Sequence, residues 1–404
     1  MNSSRQRLLR KKLLLVLFGL GFGFLMTEVF LRIIGYSYPQ FYGIDYDRGV
    51  ALRPGIAGMY QREGTNYVTI NSAGLRDREH PKAKPPDTIR IALLGDSYCE
   101  ALQIPMEQTF WWLLQQKLEA CNAFPGKHVE IINFGVSGYG TAEELITLEH
   151  QAREYSPDIV MLLVTTNNDI TDNRRELKLA NEFPYYVYRD GALVVDNSFR
   201  DTSSFRWRMR TDGFTEAIRD HLRTVQLIYY VHLTTKIALA ERRNRQSATA
   251  APAAAAPAAP AKPYLSIDNM IYLEPRDDTW REAWRITDDL IRKMRDEVGQ
   301  MGAKFLVVVG SNPIQVAPDP AVRQRFLQYI GATDLFYPNL RLKALAEHEQ
   351  IDLLDLAPPM QRFAEQNKVY LHGFGSDIGN GHWNADGHKL AAELLAQRMC
   401  SAGK

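Results

Sequence analysis

Five short apolar runs, separated by stretches with a helical pattern, constrain the fold of this chain most strongly. Runs that are apolar on both faces are typical of the central strands of a parallel sheet covered by helices. The sequence therefore predicts a three-layer α/β/α domain with a five-stranded, mainly parallel sheet. The runs are Ile89 to Leu94, Val129 to Phe134, Ile159 to Val164, Phe305 to Val309 and Ile351 to Leu356.

A longer apolar run lies near the N-terminus, from Leu13 to Ile34, and contains only two charged residues, Glu28 and Arg32. At about 1.5 Å per residue, a helix of this length crosses a hydrocarbon core of about 30 Å. We expect one transmembrane helix over residues 13–34 that acts as a signal-anchor, because no small-residue cleavage site follows it. A cleaved signal peptide is the alternative.

The charge distribution bears on both topology and partners. Residues 1–12 carry five positive charges and no acid, which predicts a cytoplasmic tail at the inner membrane, with the rest of the chain periplasmic or extracellular. Because the whole chain carries +1, the remainder carries −4, and this argues against nucleic acid as the main partner.

Neither a metal nor another cofactor is expected. Cys99, Cys121 and Cys400 lack the spacing of a zinc site, and the histidines and acids near the C-terminus lack ligand spacing. The latter group consists of His372, Asp377, His382 and His388.

Two further regions interrupt or precede the predicted sheet. Residues 35–86 are rich in Tyr, Gly and Pro and predict a small juxtamembrane β element. Between the third and fourth runs, residues 173–279 form an insertion that contains an Ala/Pro-rich linker over 246–263.

Two segments of the insertion have alternative interpretations. Leu222 to Ala240 is apolar and helical in pattern, which favours a cap helix on the domain over a membrane-surface helix. Phe205 to Arg210 alternates aromatic and basic residues, which favours a solvated strand face over contact with an anionic glycan or lipid headgroups.

Four polar motifs fall where the carboxyl ends of the predicted strands meet at one edge of the sheet, the usual place for ligands in open α/β folds. Taken singly, each motif can be an ordinary turn or helix cap. The motifs are Gly95-Asp-Ser97, the turn from Asn133 to Gly138, Thr166-Asn-Asn168-Asp169, and His382-Trp-Asn384 before the last helix.

Taken together and in this order, the four motifs resemble the SGNH hydrolase superfamily of GDSL-type esterases over residues 87–404, apart from the insertion. The resemblance implies a flavodoxin-like fold in which Ser97 is the nucleophile and His382 the base. It also implies an oxyanion hole made by the Ser97 and Gly138 amides and the Asn168 side chain.

The resemblance further implies a function. It indicates hydrolysis of an acyl ester, with O-acetyl as the expected group, on a cell-envelope or exported glycan. The alternatives are an O-acyltransferase of an exopolysaccharide and a catalytically silent glycan-binding module.

The sequence departs from the family pattern at two positions. Thr166 stands where the family usually has Gly, and Gly379 stands three residues before His382, where the family has an orienting Asp. We expect Asp377 to take the place of that Asp, with Asp386 or a dyad without a carboxylate as alternatives. Loss of such a carboxylate in a Ser-His-Asp enzyme costs about four orders of magnitude in turnover.

Overall fold

A computed structural model describes residues 3–249 and 267–402 of the chain. The described residues divide into two compact units, one made of residues 3–40 and 209–249, the other of 41–208 and 267–402. The predicted linker 246–263 lies outside the described residues except for 246–249, which are helical.

Strands and helices alternate along most of the chain. The strands are β1 (Tyr42–Asp45), β2 (Gly49–Leu52), β3 (Ala57–Tyr60), β4 (Asn66–Thr69), β5 (Thr88–Leu94), β6 (His128–Asn133), β7 (Ile159–Val164), β8 (Tyr185–Arg189), β9 (Ala192–Asp196), β10 (Lys304–Val309) and β11 (Asp352–Asp355). The helices are α1 (Ser3–Ile33), α2 (Ser97–Glu100), α3 (Phe110–Ala120), α4 (Thr141–His150), α5 (Asn168–Thr171), α6 (Arg175–Lys178), α7 (Ser203–His221), α8 (Arg223–Thr249), α9 (Ile267–Met270), α10 (Asp278–Gln300), α11 (Pro320–Ile330), α12 (Tyr337–Glu349), α13 (Ala357–Asn367) and α14 (Ala385–Ala402).

The central sheet has the strand order β11-β10-β7-β5-β6, and all its neighbouring strands are parallel. Successive residues of β5 face opposite sides: Ala92 and Leu94 pack with α4 and α10, whereas Ile91 and Leu93 pack with α3 and α14. Full burial of a Leu or Ile side chain contributes about 1.5–3 kcal/mol. The predicted three-layer α/β/α fold with a five-stranded parallel sheet is confirmed.

The predicted β element over residues 35–86 forms two antiparallel hairpins, β1–β2 and β3–β4, within the unit that contains the sheet. The side chain of Asn66 on β4 donates to the carbonyl of Ile104 at 2.7 Å. The buried Arg76 donates to the carbonyl of Glu100 at 2.7 Å. The two contacts attach this element to the end of α2 and to the chain just after it.

A disulfide joins Cys121, at the end of α3, to Cys400 in α14, with the two Cα atoms 6.2 Å apart. Both helices cover the same face of the sheet. Cys99 is the free cysteine and is buried.

The predicted insertion is divided between the two compact units. Residues 173–208, with the β8–β9 hairpin, belong to the sheet unit, whereas 209–249 group with α1. Phe205 to Arg210 lie in α7, so the expected strand face is wrong. In a helix alternate residues do not share one face, and Phe205 is buried whereas Trp207 and Met209 are exposed. Leu222 to Ala240 lie mainly in α8, in the unit that contains α1.

Helix α1 contains the predicted anchor. The most apolar 18 residues of its segment from Gln6 to Ile33 have a mean hydropathy of 2.2, and only 6% of them are buried. The helix is therefore long and apolar enough to cross a membrane.

Candidate active site

Ser97 begins the one-turn helix α2 directly after the central strand β5 and the Gly95-Asp96 turn. The side chain of Asp96 caps this helix by accepting a hydrogen bond from the N–H of Tyr98 at 2.9 Å. The turn therefore presents Ser97 at the carboxyl edge of the sheet, as the sequence predicts.

His382 lies between Ser97 and an acid that the sequence analysis did not identify. Its Nε2 atom is 2.7 Å from Ser97 Oγ, and its Nδ1 atom is 2.6 Å from Oε2 of Glu63. An ionised carboxylate can only accept, so Nδ1 carries the proton and Nε2 presents its lone pair to the Ser97 hydroxyl. This is the tautomer that a general base requires.

The surroundings of His382 adjust its basicity. Burial alone would lower the pKa of His382, but the hydrogen bond and negative charge of Glu63, with smaller contributions from Asp96 and Glu100, raise it above its usual value. Burial alone would raise the pKa of Glu63, but the contact with His382 lowers it overall. The pair therefore favours ionised Glu63 and an imidazole that readily accepts a proton.

Glu63 reaches His382 from the turn between β3 and β4, in the predicted juxtamembrane β element. Gly381 leaves room for this approach, because a Cβ atom there would lie 3.0 Å from Oε2 of Glu63, closer than an ordinary van der Waals contact. The N–H of His382 also faces the same carboxylate oxygen, at 3.3 Å. The absence of a side chain at residue 381 and the N–H of His382 thus accommodate the Glu63 carboxylate, which comes from another part of the fold.

The expectation that Asp377 orients His382 is wrong in this structure, since Glu63 occupies the Nδ1 side of the ring. Asp377 ends a short 3-10 turn and instead accepts a hydrogen bond from the side chain of Asn380 at 3.0 Å. Gly379 has a φ of +93°, and a Cβ atom there would lie 3.0 Å from the ring of Tyr370. A left-handed backbone against an aromatic ring explains why an Asp does not fit at this position.

The turn from Gly135 to Gly140 lies beside α2 and contains the predicted oxyanion donor Gly138. Within the described part of the chain, five of its six N–H groups donate to an acceptor, and the N–H of Gly138 is the remaining one. It is therefore free to bind a substrate oxygen. The acceptors of the other five, in chain order, are Asn133 Oδ1, the Gly95 carbonyl, the Glu100 carboxylate, the Val136 carbonyl and Glu143 Oε2.

A buried lysine holds this turn from the other side. Lys178 Nζ donates to the carbonyl of Gly138 at 2.9 Å and pairs with Glu143 at 3.0 Å and Asp172 at 3.4 Å. Burial alone would lower the pKa of Lys178, but the two carboxylates raise it overall, so the ammonium stays charged. Lys178 belongs to α6, at the start of the insertion, and sequence analysis assigned it no role.

Asn168, the third predicted oxyanion donor, begins α5 at the end of β7. Its Nδ2 atom donates one hydrogen to Oδ2 of the buried Asp96 at 2.7 Å, which leaves the second amide hydrogen available. Asp96 therefore links the helix that carries Ser97 to the amide of Asn168. The neighbouring Thr166 accepts a hydrogen bond from Asn312 at 2.9 Å.

The segment that carries His382 is anchored in the core. His372 and Trp383 pair in an antiparallel bridge, and the indole N–H of Trp383 donates to Ser311 at 2.9 Å. Burial lowers the pKa of His372 to about 3, so the ring is neutral and its Nδ1–H donates to the carbonyl of Gly381 at 2.9 Å. His388 is also buried and accepts the N–H of Phe110 at 3.2 Å.

No family model and no curated protein sequence matches this chain. A search of solved structures finds an acetyl xylan esterase, AlAXEase, with 12% identity, 77% of this chain and 99% of that chain covered, and a TM-score of 0.37. A catalytic mutant of Axe2, an acetylxylan esterase from Geobacillus stearothermophilus, matches with 11% identity, coverages of 78% and 96%, and a TM-score of 0.37. A two-domain esterase active on acetylated mannans matches with 12% identity, coverages of 78% and 50%, and a TM-score of 0.38.

These solved structures are remote from the chain in sequence, and their TM-scores are all below 0.5. We therefore base the functional proposal on the arrangement of Ser97, His382 and Glu63.

Proposed function

We propose that the protein is a serine ester hydrolase in which Ser97 is the nucleophile, His382 the general base and Glu63 the orienting acid. The observation that carries the proposal is the continuous contact from Ser97 Oγ to His382 to Glu63, with distances of 2.7 and 2.6 Å. A binding module needs neither a serine facing a base nor a carboxylate that fixes the tautomer of that base.

The proposed reaction proceeds in two halves. The Ser97 oxygen forms a bond to the ester carbonyl carbon while its proton passes to Nε2 of His382. The bond from that carbon to the alcohol oxygen then breaks, and His382 returns the proton to the departing alcohol. Water attacks the acyl-enzyme, gives a proton to His382, and the carboxylic acid leaves as the proton returns to Ser97.

The developing oxyanion is assigned to the N–H groups of Ser97 and Gly138 and the amide of Asn168. Loss of one such preorganised donor costs about 2.7–4 kcal/mol. Support for this assignment is the unpaired Gly138 N–H within the described residues and the hydrogen bond by which Asp96 orients Asn168.

The proposed substrate is an acyl ester, with O-acetyl as the expected group, of a cell-envelope or exported glycan. The proposed location is the inner membrane, with α1 as a single-pass signal-anchor and the catalytic domain in the periplasm or outside the cell. The Cys121–Cys400 disulfide supports this location, because disulfides persist in oxidising compartments. Transfer to a sugar hydroxyl would use the same acyl-enzyme.

A fluorophosphonate probe tests the catalytic proposal. We expect the probe to label the full-length protein on Ser97 and to leave the Ser97→Ala variant unlabelled. The matched control is Ser401→Ala, which removes an exposed serine whose hydroxyl contacts the carbonyl of Gln397 and not His382. Folded protein that is not labelled would contradict the assignment of Ser97 as nucleophile.

Product analysis then separates hydrolysis from transfer. Incubation with an acetylated oligosaccharide should release free acetate at a rate that an unacetylated sugar acceptor does not reduce. Acetate that appears on the acceptor and not in solution would identify an acyltransferase.

A further inference from the structure

Glu28 is a charged residue within the apolar run of α1, yet it is only 7% exposed. Its two carboxylate oxygens accept hydrogen bonds from Arg32, from the N–H groups of Arg223 and Thr224, and from the Thr224 hydroxyl, at 2.8–3.1 Å. An unpaired carboxylate within a bilayer is costly, so these partners are what allow Glu28 to lie there.

Apart from Arg32, the partners come from the corner between α7 and α8, residues His221 to Thr224. Arg32 adds a second contact by donating to the carbonyl of His221. Glu28 lies six residues before Ile34, the end of the apolar run, which corresponds to about 9 Å along the helix. If α1 spans the membrane, its contacts hold this corner below the outer surface of the hydrocarbon core.

The polar groups around the corner have partners within the same unit. Arg223 donates to the hydroxyl of Ser37 at 2.8 Å. Gln226 donates to the carbonyl of Arg219 at 2.9 Å and accepts the N–H of Tyr38 at 2.7 Å. Satisfied polar groups are a requirement for backbone that lies at membrane depth.

The helices on both sides of the corner expose apolar side chains. Phe214 and Ile218 are 73% and 37% exposed on α7, and Ile228 and Val231 are 62% and 52% exposed on α8. Each pair is three or four residues apart and so shares one helix face. All four lie within seven residues of the corner, hence no more than about 10 Å from it along a helix.

We propose that the α7–α8 corner is a second membrane attachment, which enters the outer leaflet beside α1 and places Phe214, Ile218, Ile228 and Val231 against lipid. The occupant of this surface is the bilayer, because the surface is continuous with the anchor helix and is held to it at Glu28 and Arg32. The inference depends on the proposed anchor role of α1 and not on the esterase activity.

Site-specific fluorescence in vesicles tests this inference on the full-length protein. Cys99 is buried and the other two cysteines form a disulfide, so a new cysteine provides the accessible thiol. Ile218→Cys and Ile228→Cys are labelled with an environment-sensitive dye in vesicles of phosphatidylethanolamine and phosphatidylglycerol. Leu340→Cys, 55% exposed on the sheet unit, is the matched aqueous control, and Leu20→Cys, 66% exposed on α1, reports the anchor.

We expect nitroxide on the lipid acyl chains to quench the dyes at residues 218 and 228 about threefold or more above the dye at residue 340, with blue-shifted emission. Quenching at residue 20 without quenching at 218 and 228 would overturn the second attachment and leave the anchor intact. Dyes at 218 and 228 that neither lipid nor aqueous quenchers reach would indicate a protein partner and also overturn it. No quenching at residue 20 would overturn both. Fluorophosphonate labelling of Ser97 is measured in the same preparations and is independent of all these outcomes.

Discussion

The segment that contains His382 and the hairpin that supplies Glu63 differ in how deeply they are buried in the sheet unit. The segment from His372 to Asn384 is built into the core, with His372 and Trp383 at most 1% exposed and bonded to Ser311. The β3–β4 hairpin that carries Glu63 lies at the surface, and the neighbouring Tyr67 is 61% exposed. The side chain of Glu63 itself is 37% exposed.

Because of this difference, we expect substitutions in the two segments to affect different properties of the protein. A change at His372 or Trp383 disturbs buried packing and a hydrogen-bond network, so it should affect folding first. A change at Glu63 removes one partly exposed carboxylate and little packing, so it should affect the reactivity of His382 while the fold persists. The proposed acid can therefore be examined apart from the scaffold.

The largest effect is expected for Glu63→Gln. The amide keeps the shape of the side chain but cannot offset the imidazolium charge, and turnover of a small ester should fall by about four orders of magnitude. Steady-state kinetics and thermal unfolding of the same samples measure the two quantities. The control is Glu79→Gln in the same N-terminal element, whose carboxylate contacts Ser72 and not His382. A large drop in melting temperature with Glu63→Gln would contradict the expectation that this residue affects reactivity and not stability.

A smaller effect is expected at the other side of the site, for Lys178→Met combined with Glu143→Gln. The second change avoids leaving Glu143, the more deeply buried of the two carboxylates that pair with Lys178, as an unpaired charge. Loss of the contact to the Gly138 carbonyl should loosen the turn from Gly135 to Gly140. This should lower kcat by about 10-fold to 100-fold with little change in KM. Glu143→Gln alone retains Lys178 on Gly138 and an amide oxygen that can accept the Gly140 N–H, so it should lower kcat less than the double variant does. Equal losses in both variants would show that Lys178 does not position the turn.

The pH dependence should move in a defined direction. Because Glu63 raises the pKa of His382 and only the neutral ring accepts a proton, wild-type kcat/KM should rise with pH through a pKa above about 6.5. In Glu63→Gln, burial is no longer offset by the carboxylate, so the rise should occur at lower pH. A rise displaced to higher pH would be inconsistent with the contact between Glu63 and His382.

The smallest effect is expected for Asp377→Asn. Its contact with Asn380 is at the surface and does not involve His382, so turnover should change by less than about twofold. If the turnover of Asp377→Asn instead fell by orders of magnitude, measured beside Glu63→Gln, then Asp377 would be the residue that orients His382.

The sequence predicts those parts of the site that follow directly from strands. Ser97, Gly138 and Asn168 come just after apolar runs that are typical of buried strands, and parallel strands bring their carboxyl ends to one edge. Glu63 is different, because 319 residues separate it from His382 and its own turn carries no motif. Gly379 signals that the usual Asp is missing, but which carboxylate replaces it depends on how the β3–β4 hairpin packs on the loop after α2.

The most direct test of the central claim is a double-mutant cycle between Glu63 and His382. If Glu63 acts through His382, Glu63→Gln should lower turnover by about four orders of magnitude in the wild-type background. In the His382→Ala background it should change the residual turnover by less than about twofold. A similar large loss in both backgrounds would contradict the proposed Ser97–His382–Glu63 site.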